Sequence, residues 1–207
     1  MLLIIDLEST CWDTNSPFSS QQCTKKQKEE METIEIGATL LTVVEKKKLE
    51  IVKSFSQFVK PVINPFLSDF CKDLTSITQE DVDLALTFPD ALNKFIKDVE
   101  YHLGGNTIDK IIWSSWGAYD RKQLIKDCLY HKIEYPFGVH WNVKEAHAVV
   151  NEQKRGRGLG RAIRDAGLTF EGTHHRGIDD TINIARVVQI YLTNFYIKNI
   201  RRMINYK

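Results

Sequence analysis

An α/β domain with a mixed sheet is the fold class this sequence predicts, and three observations predict it. The chain opens on an apolar run, Leu2–Ile5, of the kind found in strands buried on both faces. Two β-branched segments, Thr33–Val44 and Ile51–Val59, follow with only a charged turn at Glu45–Lys48 between them, so the first three strands form an antiparallel meander. From Ser68 onward, helical and strand patterns alternate, which is the signature of further, parallel strands flanked by helices.

The elements follow in order. Residues 13–31 are polar and read as a long surface loop, functional or mobile by its length. Pro61 and Pro65 close the meander. Ser68–Leu74 is one short helix, and Thr78-Gln-Glu-Asp81 has the form of a capping box opening another. Phe88, Leu92, Phe95, Ile96 and Val99 recur at helical spacing, giving an amphipathic helix from about Pro89 to Gly104-Gly105. Ile111–Trp113 is the next strand, Asp120–Tyr130 a helix, and Lys144–Val150 a shorter one after Pro136. The last helix runs from Gly177 to about Tyr196, with Ile184, Val188, Leu192 and Phe195 on its inner face.

At 207 residues the chain suits a single domain, with its core over about 1–195 and a basic tail over about 197–207. A formal net charge of +1 provides no global field for a polyanion, so nucleic-acid binding must rely on a local patch. Cys11, Cys23, Cys71 and Cys128 show no C-x-x-C pairing and read as reduced thiols rather than a disulfide framework or a zinc site. The first apolar run stops at Asp6, too early for a signal peptide, and no stretch is long enough to span a membrane; a cytoplasmic protein is expected.

The chemistry begins where the first strand ends. In a strand, residues two apart face the same side, so Asp6 and Glu8 project together while Leu7 turns away. Two like charges on one rigid element repel unless a proton or cation lies between them, and a hard divalent ion takes such oxygen ligands. Strands also end in solvated acids, so the pattern acquires meaning only if other carboxylates complete it. Asp120 sits where the exit Ser114–Tyr119 enters a helix, and Asp179 and Asp180 open the last helix; each is also a favourable first-turn acid. His175, five residues before Asp180 in the loop Thr173–Arg176, can face the same pocket and has the unperturbed pKa of a general base, near ~6.5. His174 reads as an ordinary loop residue. Lys154, Arg155, Arg157, Arg161 and Arg164, interleaved with glycines, form the one concentrated basic stretch.

Asp-x-Glu, Asp and His-x4-Asp, in that order and each at an element edge, resemble the DEDDh 3′–5′ exonucleases, the group containing ribonuclease T and the polymerase III epsilon subunit. The resemblance is narrower still, to the branch with the histone-mRNA 3′ exonuclease and bacterial members linked to inhibition of a sporulation kinase pathway. It is carried by Asp6–Cys11, Glu35-Ile-Gly37, Phe58–Pro61, Leu67–Cys71, Leu74–Gln79, Thr87–Pro89, Tyr119-Asp120 and His175–Arg186, spanning roughly residues 1–190.

That resemblance implies a ribonuclease H-like fold and a 3′–5′ exonuclease that releases 5′-mononucleotides from single-stranded RNA or DNA, RNA favoured. Asp6, Glu8, Asp120 and Asp180 would hold two Mg²⁺ or Mn²⁺, Asp6 bridging, and His175 would take the proton from the attacking water. Ser9, Thr10, Leu74, Ile77 and Tyr119 match the positions that hold the terminal nucleotide. Arg155, Arg157 and Arg161 would track the phosphates behind it. Asp179 is the helix-start residue of its pair. Two other readings are a regulatory protein that keeps the fold but binds a protein or RNA partner, and a proofreading subunit. The ligand set is complete, which favours the enzyme.

Overall fold

A computed structural model describes residues 1–13, 24–45 and 48–197; most of the polar loop, with Cys23, and nearly all of the basic tail lie outside the described residues. The sheet is built from β1 (Leu2–Ser9), β2 (Thr33–Val44), β3 (Lys48–Lys60), β4 (Leu86–Thr87), β5 (Ile112–Ser115) and β6 (His140–Asn142), in the spatial order β4-β3-β2-β1-β5-β6. β1, β2 and β3 are successive antiparallel neighbours, as the sequence predicts. β5 runs parallel to β1 and β6 parallel to β5, so the sheet is mixed. The β1–β5 pairing covers only Leu2–Ile4.

The helices are α1 (Lys25–Glu29), α2 (Asp69–Thr75), α3 (Gln79–Asp83), α4 (Phe88–Glu100), α5 (Tyr119–Tyr130), α6 (Val143–Val150), α7 (Leu159–Asp165) and α8 (Gly177–Val187). Ser68 caps α2 by accepting from Cys71 N, and Thr78 with Asp81 closes the predicted capping box on α3. Among the described residues of the segment read as loop, α1 is a helix, opened by a Thr24–Gln27 capping box. Polar side chains over 24–30 hid it, because it buries no apolar stripe.

β1 divides the core by alternation. Leu3, Ile5 and Leu7 face α4 and α5, packing with Ala91, Leu92, Phe95, Leu124 and Cys128. Leu2 and Ile4 face the other side, against Trp141, Val143, Ala146, Ile184, Ala185 and Val188. Leu2 through Ile5 have no solvent exposure. Burying each such side chain contributes about 1.5–3 kcal/mol, which makes β1 the fixed point of the molecule.

The final helix departs from regular geometry. After α8 the chain takes a π turn over Val188–Leu192 before resuming as helix. A π turn holds one extra residue. Val188 and Leu192 are buried as predicted, Phe195 packs partly buried against the same cluster, and Tyr196 joins it fully buried, its hydroxyl donating to Met1 O at 2.7 Å.

Candidate active site

Asp6 and Glu8 continue the Leu2–Ile4 face, so the alternation that buries those apolar residues also aims both carboxylates toward α8. Asp120, in the first turn of α5, is buried and accepts the Leu7 N–H at 3.1 Å, a donor that β5 does not reach. This bond fastens the start of α5 to the far end of β1.

α8 arrives through a contact between two glycines. A Cβ on Gly37 would lie 2.0 Å from the Gly177 carbonyl carbon, and one on Gly177 would lie 2.9 Å from Asp6 O. Only bare backbone allows the helix to descend this far onto β1 and β2. Glu35, fully buried and opposite Glu8 in the β1–β2 register, secures the arrangement. Its carboxylate accepts from Gly177 N at 3.0 Å, Arg176 Nε at 3.2 Å and Ser56 Oγ at 2.7 Å. The docked helix delivers Asp180, and one oxygen each from Asp6, Glu8 and Asp180 lies within 4.8 Å of the others. Asp180 Oδ2 is buried with no hydrogen-bond partner among the described residues.

Such crowding favours protons. Burial first, then the carboxylates of Asp120, Glu8, Asp180 and Glu35, push Asp6 well above the usual carboxylate range. Burial, then Asp180, Glu35 and Asp120, raise Glu8 to about 9; burial, with Asp179 and Glu35, raises Asp180 to about 7 against backbone hydrogen bonds at His175 and Arg176. Burial raises Asp120 as well, partly offset by the Leu7 N–H.

The loop before α8 is braced by the residue next to Asp180. Asp179 turns away from the acidic cluster and accepts from Thr173 N at 2.8 Å, with its carboxyl filling the space where a Cβ on Gly172 would stand. His174 stacks on Phe170, ring centroids 3.6 Å apart. His175 adopts a left-handed backbone, φ 59°, and lines the cleft, where burial and the neighbouring His174 lower its pKa. The two adjacent histidines and the two adjacent aspartates thus have separate positions.

The cleft has a volume of about 330 Å³, with Asp6, Glu8, Asp120 and His175 at its base and Ser9, Cys11, Met31, Leu74, Trp116 and Tyr119 around it. Of the predicted nucleotide contacts, it includes Ser9, Leu74 and Tyr119. Thr10 stands behind the wall: its N–H donates to Glu32 O at 2.9 Å and its hydroxyl accepts from Glu32 N. Ile77 is fully buried with Ile34, Leu67, Cys71 and Val82. In the basic stretch, Arg157 and Arg161 both pair with Asp165, whereas Arg155 is exposed. Trp116 Nε1 donates to Arg157 O at 2.9 Å, tying this loop to the cleft wall. Trp116 had a sequence signal, its place just after a strand end; Met31, at the close of a polar segment, had none.

The exonuclease family model RNase_T matches residues 3–188. The chain is 33% identical to human (Homo sapiens) 3′-5′ exoribonuclease 1, over 90% of this chain and 50% of that protein. It is 30% identical to the 3′-5′ exonuclease eri1 of Schizosaccharomyces pombe, over 91% of this chain and 66% of that one. The chain thus spans about half the length of the first of these relatives. Among solved structures, it superimposes with a TM-score of 0.77 on the nuclease domain of 3′hExo, a DEDDh family member bound to rAMP, at 32% identity over 96% of this chain and 92% of that one. A structure of histone mRNA stem-loop recognition by 3′-exonuclease gives a TM-score of 0.76 at 32% identity, over 96% and 81%. The mixed sheet with its flanking helices is the ribonuclease H-like fold of these nucleases. On its matched span and its likeness to these relatives, the chain belongs to the exonuclease family of the ribonuclease T type.

Proposed function

We propose that this protein is a metal-dependent 3′–5′ exonuclease acting on single-stranded nucleic acid, RNA in preference to DNA, and releasing 5′-mononucleotides. The observation carrying this reading is the convergence of Asp6, Glu8 and Asp180 within 4.8 Å, with Asp120 and His175 at the base of the same cleft. The donors are all carboxylate oxygens, and the Asp180 oxygen that lacks a partner faces a site of accumulated negative charge. That set fits Mg²⁺ or Mn²⁺. Asp6, Glu8 and Asp180 would hold one ion and Asp6 with Asp120 a second, and such ions would supply an activated water and charge for the leaving oxygen.

The protein's own groups do the rest. His175, kept neutral by its lowered pKa, accepts the proton of the attacking water. Tyr119 and Leu74 flank the terminal nucleotide, and stacking on the tyrosine contributes about 1–3 kcal/mol without requiring a particular base. Arg155, exposed and outside the Asp165 ion pairs that take Arg157 and Arg161, would meet upstream phosphates. Support for RNA comes from the relatives named exoribonucleases and from the rAMP-bound neighbour.

The test is incubation of 5′-labelled single-stranded RNA and DNA of one sequence with the protein in Mn²⁺ or EDTA. A metal-dependent ladder shortened from the 3′ end, faster on RNA, is expected. No ladder on either substrate overturns the activity, and an equal rate on both overturns the preference.

A further inference from the structure

The wall of the cleft contains a pair of thiols from separate elements. Cys11 lies just beyond β1 and lines the cleft, while Cys71 lies in α2 with no solvent exposure. They belong to one packed cluster with Ile34, Leu67 and Ile77. One hydroxyl bridges their backbones: Ser68 Oγ donates to Cys11 O at 2.6 Å and accepts from Cys71 N at 3.0 Å. The side chains meet as well, since a hydrogen bond with the Cys11 thiol is the main cause holding the Cys71 thiol below its usual range. Cys71 Sγ also donates to Ser9 O at 3.7 Å. The shared Ser68 hydroxyl, the common packed cluster and the thiol–thiol hydrogen bond bring the two cysteines side by side, the close approach that a disulfide requires.

We infer that Cys11 and Cys71 form a peroxide-sensitive modification site, closing to a disulfide that narrows the cleft. The accessible partner reacts first. The Cys11 thiolate attacks a hydroperoxide ROOH, breaking its O–O bond, forming sulfenic acid and releasing ROH. The Cys71 thiolate then attacks the Cys11 sulfur and expels hydroxide, which leaves as water. Two thiols and one hydroperoxide give one disulfide, one alcohol and one water. The buried Cys71 is suited to this resolving role and unsuited to the first step, because peroxide reaches it only through Cys11. Closure draws the cleft wall at Cys11 toward α2, which also carries Leu74, and withdraws the Cys71 donor from Ser9 O. Both changes fall on the wall rather than on the carboxylates, so substrate binding is affected more than the chemical step.

The test is stoichiometric hydrogen peroxide on the full chain, followed by non-reducing proteolysis and mass measurement. A peptide pair joining Cys11 to Cys71, 2 Da lighter than the sum of the reduced peptides, is expected, and dithiothreitol should restore both thiols. A disulfide of Cys11 with Cys23 or Cys128, or Cys11 sulfinic acid with Cys71 still reduced, overturns the inference. This readout does not depend on activity, so its failure is distinct from failure of the exonuclease reading. Where the ladder is seen, oxidation should raise KM for single-stranded RNA severalfold with kcat nearly unchanged, reversibly; a change confined to kcat overturns the narrowing. Cys71→Ala should leave peroxide-treated protein with its KM unaltered, and thermal unfolding of that variant establishes that it remains folded. A folded Cys71→Ala variant whose KM still rises reversibly with peroxide overturns the assignment of the pair.

Discussion

Gly37 and Gly177 meet backbone to backbone, and that contact sets the height at which α8 crosses the sheet. Asp180 is three residues further along the helix, so the glycine pair determines whether it reaches Asp6 and Glu8. Gly177→Ala pushes a methyl against Asp6 O and the Gly37 backbone, neither of which can yield as a side-chain tip does. A loss of about 3 kcal/mol in stability is expected, with loss of metal-dependent cleavage. Chemical denaturation and the 3′-end ladder measure the two effects. Retention of full activity would show that the helix height is unimportant.

Glu35 tests the same docking from its polar side. Glu35→Ala leaves the Gly177 N–H and Arg176 without their shared acceptor in a buried position, costing about 2–4 kcal/mol. Glu35→Gln keeps an oxygen for one of these donors and should be milder. If the two variants were equally stable and active, the carboxylate would have no part in seating α8.

Asp6→Asn removes one charge from a cluster that opposes folding without a cation. In EDTA the variant should unfold at a higher temperature than wild type, while Mn²⁺ should raise the melting temperature of wild type far more than that of the variant. Cleavage should be abolished. Differential scanning with and without Mn²⁺ checks the first two expectations, and a variant that melts lower in EDTA would contradict the repulsion.

The pH dependence of the metal-free protein follows from the same charges. Glu8 and Asp180 have folded pKa values of about 9 and about 7, above their ordinary 4.5 and 3.8. A raised carboxylate pKa means that the folded state holds protons the unfolded state has released. Their contribution is therefore fully present below about pH 4 and declines as pH rises, until about 7 for Asp180 and about 9 for Glu8. The difference in stability between Asp180→Asn and wild type in EDTA should grow in favour of the variant from pH 4 to pH 7 and then level off. Urea titrations at spaced pH values measure it.

Asp165 occupies Arg157 and Arg161 together. Asp165→Asn frees both for phosphate, so affinity for single-stranded RNA should rise and its dependence on salt should steepen. Each new phosphate contact adds about 0.7 to the log–log salt slope of a single strand. Binding titrations between low and moderate salt detect this, and an unchanged slope would place the pair away from the strand.

Much of the fold was legible because its signals are local. The β1 run, the β2–β3 turn, the Thr78 capping box and the α4 stripe each depend on near neighbours in sequence. The acids were legible as a set, since each stands at an element edge and Asp6 and Glu8 share a strand face. The glycine crossing was not, because it joins residues 140 positions apart and neither carries a side chain whose chemistry could announce it. Glu35 was legible only as part of the Glu35-Ile-Gly37 resemblance; its hold on Gly177 and Arg176 emerges once α8 is docked over it. The burial of Tyr196 beside Phe195 follows a π turn, which leaves no composition signal. The short β6 was missed because three residues ending in Asn142 are too few to show alternation.

The difference in length between β1 and β5 has one more consequence. β1 continues for several residues after β5 has ended, so the molecule's most rigid strand has an unfinished seam on one side. Asp120 fills one hydrogen-bonding place in that seam, and the cleft lined by Leu7, Trp116 and Tyr119 opens beside it. A longer β5 would compete with Asp120 for the Leu7 N–H, so the point at which β5 stops leaves that donor to the carboxylate.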